Sequence, residues 1–239
     1  MSRSVLVTGG NRGIGLAIAT AFREAGDQVA VTYNSSPPPE GFFGVKCDIT
    51  DQEQVDAAFD AIQEQQGPVE VLVANAGAGQ SSRLDRTTDA DWQRMLDLNL
   101  TAPFRCLRRA VPAMRQAGWG RIVVVASTAA LVGEPYIAAY TASKHGVLGL
   151  VRSAAAELAR TGVTVNAVCP AYVDSPMTDQ TVATIATTTG RTPEEARRIL
   201  ERKQPIGRLI TPDEVADAIW FCIGNAAVTG QAVKVDGGL

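Results

Sequence analysis

The sequence predicts an α/β fold: a doubly wound sheet of about seven parallel strands with helices on both faces. Three observations carry that expectation. Short, β-branched apolar runs recur along the chain, and stretches of helical periodicity separate them. A glycine-rich turn joins the first run to the first helix, the junction at which such sheets bind nucleotides. The 239 residues suit one domain with a full core, and no repeat or linker divides residues 1–239.

The first strand, Val5-Leu-Val-Thr8, runs into Gly9-Gly-Asn11-Arg12-Gly13-Ile14-Gly15, and a helical pattern follows from Leu16 to Ala25. Strand, glycine turn and helix open a Rossmann-type dinucleotide-binding unit. The glycines let the backbone come close to a pyrophosphate, which sits on the free N–H groups at the helix start. The second strand is Val29–Tyr33. An NAD site usually carries an acid about 20 residues past the turn, bonded to the ribose 2′-hydroxyl. Here the chain reads Thr32-Tyr33-Asn34-Ser35, with no acid. That gap, with Arg12 in the turn, favours NADP(H), the guanidinium pairing with a 2′-phosphate. The alternative is Arg12 as a solvated turn residue.

Ser35–Gly41 reads as an exposed turn, and strand character resumes at Phe43–Cys47. Asp48 is placed either to bond an adenine amino group or to cap the helix starting near Asp51. Asp51–Gln66 is an amphipathic helix and Val69–Ala74 a buried parallel strand. Asn75-Ala76-Gly77 follows at the carboxyl end of that strand, where small residues let a ribose approach. A long helix is expected over Asp89–Ala117, bent near Pro103 and Pro112. Asn99 lies among Leu96, Leu98 and Leu100, so its amide must bond to bent backbone or to water. It is either a member of a water relay or a structural amide. Arg105, Arg108, Arg109 and Arg115 read as a solvated helix face.

The strand Ile122–Ala126 delivers Ser127 beside the start of the next helix, which carries Tyr140 and Lys144 and runs to about Arg160. Tyr140 and Lys144 project from one helix face, one turn apart. An ammonium beside a phenol stabilises the phenolate and is expected to lower its pKa from about 10. Such a group can exchange a proton with an alcohol oxygen. Gly146 and Gly149 allow close packing, and His145 points away from this pair. Val163–Cys169 is the sixth strand, ended by Pro170. Residues 174–205 are polar and rich in Thr and Arg, too long for a simple connection, and are expected to form a mobile lid with a helix over Pro193–Lys203. Ala139, Ala171 and Tyr172 leave an apolar mouth beside it. Arg191, Arg197, Arg198, Arg202 and Lys203 form a positive strip, suited to phosphates or paired with Glu194 and Glu201. Thr211-Pro-Asp-Glu214 starts a helix over Val215–Ile223, and Ala232–Val235 is the last strand, before Asp236-Gly-Gly238.

The net charge of −3 argues against a general nucleic-acid binder. No apolar run approaches a membrane span, and the start is too short in apolar residues for a secretory signal. Cys47, Cys106, Cys169 and Cys222 lie far apart, without metal-ligand spacing, and read as buried free thiols of a cytoplasmic protein.

In order and spacing, Thr8-Gly9-x-x-x-Gly13-x-Gly15, Asn75-Ala76-Gly77, Asn99, Ser127, Tyr140-x-x-x-Lys144 and Pro170 resemble the short-chain dehydrogenase/reductase family over essentially the whole chain. The resemblance implies that Tyr140 donates and accepts the proton. It implies that Lys144 lowers the Tyr140 pKa and binds the nicotinamide ribose, Ser127 polarises the carbonyl and Asn99 holds a relay water. Val173 and Ser175 are then further cofactor contacts, Ser175 standing where the family often has Thr. Pro170-Ala171 replaces the family's usual Pro-Gly. Asn11–Gly15, Gly162–Asn166 and Pro205–Arg208 are similar to those of 3-oxoacyl thioester reductases and polyketide ketoreductases. An NADP(H)-dependent, metal-free oxidoreductase interconverting β-keto and β-hydroxy groups on an acyl thioester is implied. The alternatives are a polyketide ketoreductase, an NAD(H)-linked β-hydroxyacyl dehydrogenase and, from another class, a non-catalytic nucleotide sensor. Carrier-protein reductases often place arginines where Gly118-Trp119 and Thr161 stand, which implies a CoA thioester or free ketone instead. The helices at 89–117 and 140–160 match those that pair between subunits in the family, implying a homotetramer.

Overall fold

The computed structural model describes residues 2–239. Seven strands form one sheet in the order β3-β2-β1-β4-β5-β6-β7: β1 Ser4–Val7, β2 Gln28–Tyr33, β3 Phe43–Lys46, β4 Val71–Ala74, β5 Gly120–Val125, β6 Val163–Pro170 and β7 Ala232–Val235. Every pairing is parallel, with Val5 opposite Val29 on one side and Val71 on the other. Helices cover both faces, so the central strands are apolar at nearly every position. Leu6, Leu72, Ile122 and Val124 face one core half with Phe59, Met114 and Val151. Val5, Val7, Val71 and Val123 face the other with Ile18, Phe22 and Ile219.

The first face carries α2 (Gln52–Gln66), α4 (Ala102–Ala117) and α5 (Ala138–Leu158); the second carries α1 (Gly13–Glu24) and α8 (Pro212–Gly224). Strand order reverses between β1 and β4, which opens a crevice at their carboxyl ends. Gly9 follows β1 there, and Asn75–Gly77 follows β4.

The long helix expected over residues 89–117 is broken. α3 (Asp89–Leu96) passes into a π-helical turn at Asp97–Thr101 before α4 begins. Pro103 lacks the N–H that would bond back to Asn99, so the ladder must loosen just ahead of it. Pro112 lies within α4 without ending it.

Residues 174–205 hold two helices, α6 (Pro176–Thr189) and α7 (Pro193–Lys203), where the sequence showed only the second. Its many threonines hid α6, since β-branched residues are poor helix formers. The hydroxyls of Thr181, Thr184 and Thr187 donate to carbonyls one turn back. Packing supplies what propensity lacks: Val182 of α6 forms a small core with Ala196, Leu200 and Leu209.

The α4 arginines are not a free solvated face. Arg105 bonds to the Thr50 carbonyl, Arg108 to Gln52 Oε1 at 2.5 Å and Arg109 to Asp56 at 3.2 Å and Asp60, while Arg115 reaches Glu157 at 3.9 Å. Arg105, Arg108 and Arg109 therefore strap α4 to α2 and its entry turn.

Candidate active site

The glycine turn is held by Thr8, Thr32 and Asn75. Thr8 Oγ1 accepts from the Asn75 and Ala76 N–H groups at 3.0 Å each, and Thr32 Oγ1 accepts from the Gly9 N–H at 3.2 Å. Asn75 Nδ2 donates to the Thr8 and Gly9 carbonyls at 2.9 and 3.2 Å. Asn75 thus ties the end of β4 to the turn. Gly13 sits at φ +54°, a left-handed conformation that favours glycine. α1 starts without a side-chain cap and without an acid in its first turn, so its amino end is free for an anion. Asn11 Nδ2 donates to the Ser36 carbonyl at 2.9 Å, and Arg12 is exposed at the rim with Tyr33, Asn34 and Ser35 nearby.

Two connected clefts occupy the crevice. The larger, roughly 260 Å³, is bounded by the expected Gly9, Arg12, Gly15, Asp48, Ala76 and Ser175. The smaller, roughly 80 Å³, is bounded by Asn99, Ser127, Tyr140, Lys144, Pro170 and Val173. Ile14, Asn75, Gly77 and Ser175 border both. So does Met177 on α6, which sequence reasoning missed because nothing marked α6 as a wall. Asp48 is not the helix cap. Its Oδ1 accepts from the Thr50 N–H at 2.9 Å, and Asp51 takes the cap by accepting from the Glu53 and Gln54 N–H groups.

In the smaller cleft β5 ends just before Ser127, whose Oγ accepts from the Ala129 N–H at 3.1 Å. Lys144 is buried and its Nζ donates to the Val125 carbonyl at 3.0 Å. The ammonium lies 5.7 Å from the Tyr140 ring centroid. Contrary to the expectation of a lowered phenol, burial pushes the Tyr140 pKa up, and the Ser127 hydroxyl pulls it partly back. Lys144 is desolvated as well: burial pulls its pKa from 10.5 down to about 8.

This gives a pH signature. Between about pH 8 and 10.5 the unfolded chain holds a Lys144 proton that the native state has shed, so this group adds stability as pH rises. In protein without nucleotide, the stability of wild type relative to Lys144→Met should rise across that window by up to about 3 kcal/mol and stay flat below it. Tm measured for both proteins from pH 6 to 10.5 checks this; a constant difference would show that Lys144 is not held depressed.

Asn99 occupies the π-helical turn, and its amide nitrogen is committed. Nδ2 donates to the Ala78 carbonyl at 3.0 Å and the Met95 carbonyl at 3.2 Å, and Oδ1 accepts from the Ala78 N–H at 3.3 Å. The side chain therefore holds the loop after β4 while Asn99 borders the smaller cleft. His145 bonds to the Thr141 carbonyl on the exposed side of α5. Of the expected apolar mouth, Ala171 borders the smaller cleft, while Ala139 is buried in α5. The positive strip is partly neutralised: Arg197 pairs with Asp174 at 2.8 Å and Glu201 at 3.2 Å, and Lys203 with Glu134 at 3.1 Å. All four cysteines are free and buried. Among the described residues no His, Cys, Asp and Glu cluster has a metal-holding arrangement, and no helix is long and apolar enough to cross a membrane.

A family model described as enoyl-(acyl carrier protein) reductase matches residues 9–239. The 3-oxoacyl-[acyl-carrier-protein] reductase MabA of Mycobacterium tuberculosis is 43% identical over 100% of this chain and 93% of its own length. A putative ketoacyl reductase of Streptomyces coelicolor is 38% identical over 100% and 97%. Among solved structures, a variant of actinorhodin polyketide ketoreductase with NADPH superposes with a TM-score of 0.94 at 38% identity, covering 100% of this chain and 97% of that one.

Proposed function

We propose that this chain, which belongs to the short-chain dehydrogenase/reductase family, is an NADP(H)-dependent reductase of β-keto groups on acyl thioesters. The observation that carries the reading is the meeting of Ser127, Tyr140 and Lys144 on one small cleft that opens into the glycine-turn crevice. The crevice fits the dinucleotide: an uncapped helix start for the pyrophosphate, small residues at Ala76 and Gly77 for a ribose, and Arg12 at the rim for a 2′-phosphate. NADPH, when bound, supplies the hydride that the carbonyl carbon receives. Tyr140 gives its proton to the carbonyl oxygen. Ser127 donates to the same oxygen and favours the developing charge. Lys144 Nζ is anchored on the Val125 carbonyl, would hold a ribose hydroxyl of the bound nucleotide, and supplies positive charge near the phenol. Asn99 fixes Ala78 with its amide and stands at the cleft where a relay water would sit. A nucleotide sensor would have no use for this full set.

Residues 174–205 act as a lid, with Met177 on its inner side. The assembly is a homotetramer: Trp92 and Phe104 are exposed on α3 and α4, and Gly149 faces open space on α5. A monomeric mass in light scattering at micromolar concentration would refute it. Free thiols support a cytoplasmic location, and disulfides in protein isolated from cells would oppose it.

Steady-state kinetics test the function. Wild type should consume NADPH with acetoacetyl-CoA, and with the same acyl group on a carrier protein at lower kcat/KM, since Gly118, Trp119 and Thr161 offer no docking arginines. Arg12→Asp should weaken NADPH by roughly 30- to 1000-fold, because a charge-assisted phosphate bond is removed and a repulsion added, with NADH changed far less. Equal use of NADPH and NADH by wild type would favour the NAD-linked dehydrogenase instead.

A further inference from the structure

The loop that joins Ser127 to Tyr140 carries features the chemistry does not use. Tyr136 holds φ +70°, a conformation costly for a tyrosine, and is 65% exposed. Its carbonyl accepts from the Ser82 N–H at 2.7 Å, which pins the loop on one side. On the other side Glu134 Oε2 accepts from the Tyr172 hydroxyl at 3.0 Å and from Lys203 Nζ at 3.1 Å. Lys203 Nζ also donates to the Tyr172 oxygen at 3.2 Å. Three segments meet at these bonds. Glu134 is on the loop between the catalytic residues, and Tyr172 stands between Ala171 and Val173 of the smaller cleft. Lys203 is the last residue of α7. The next residue, Gln204, is buried and donates to the Tyr172 carbonyl at 3.2 Å, so Tyr172 is held at both its backbone and its hydroxyl. The Tyr172 ring also packs on the small core of α6 and α7.

We propose that Glu134, Tyr172 and Lys203 form a clasp that determines specificity. It holds the α6–α7 unit against the Ser127–Tyr140 loop and limits the bulk of ketone that reaches the two residues. The clasp rests on the reading of Ser127 and Tyr140 as the carbonyl site. An isolated ion pair as exposed as Lys203 with Glu134, 47% and 28%, stabilises little, but here a third group from a third segment shares the same oxygen. Its strength is therefore enough to bias the opening and too small to lock it.

The variants Glu134→Gln, Tyr172→Phe and Lys203→Met remove one member each and touch neither Ser127 nor Tyr140. Their kcat/KM for 3-oxododecanoyl-CoA relative to acetoacetyl-CoA should rise about three- to ten-fold over wild type, through KM, and Lys203→Arg should restore the wild-type ratio. In protein without ligand, trypsin should cleave after Arg191 and Arg198 faster in the three variants by a similar factor. An unchanged ratio, or both thioesters falling together with Tm, overturns the clasp. If wild type reduces neither thioester, the carbonyl-reductase reading fails instead, and the proteolysis rates still judge the tether.

Discussion

Replacing Tyr140 by Phe should lower kcat by about 10²- to 10⁴-fold while leaving NADPH affinity within about two-fold. Only the hydroxyl is removed. The ring keeps its place beside Lys144, whose own anchor is the Val125 carbonyl and not the phenol. Neither Tyr172 nor His145 is in position to substitute. Tyr172 has its hydroxyl engaged with Glu134 and Lys203, and His145 lies on the exposed side of α5. Stopped-flow NADPH oxidation with acetoacetyl-CoA, together with fluorescence titration of NADPH, separates the two parameters. A variant that matches the wild-type rate would remove Tyr140 as the proton donor.

The second large effect is expected at Gly15. A methyl group there would run into the Gly9 carbonyl oxygen and lie 2.5 Å from Asn75 Nδ2, so backbone and a committed amide must both move. The turn would have to open by breaking the Asn75 bonds to the Thr8 and Gly9 carbonyls, the struts that join β4 to the turn. Gly15→Ala should therefore cost about 1–3 kcal/mol in stability and weaken NADPH about ten- to a hundred-fold. Thermal melts with and without NADPH measure both effects. A variant that binds NADPH like wild type would show that the turn tolerates the methyl group and does not set the nucleotide site.

The succession of strands and helices, the glycine turn and the spacing of Asn99, Ser127, Tyr140 and Lys144 were legible in the sequence. Each is written in local patterns: β-branched runs for buried parallel strands, helical periodicity between them, and glycines where backbone must come close. The cap at Thr211 shows the same legibility, since its hydroxyl accepts from the Glu214 N–H three residues on. Other features were decided by packing between segments distant in the chain. α6 folds on α7 and not on its own propensity. The α4 arginines found partners on α2, and the Asn99 amide found the Ala78 backbone. The direction of the Tyr140 pKa is the clearest case. Sequence places a lysine one turn away and predicts a lowered phenol. The fold buries both groups, and in a medium that solvates charge poorly, desolvation raises the phenol and lowers the ammonium before either can help the other. Spacing along a helix is a local property of the chain, whereas solvation depends on everything folded around it.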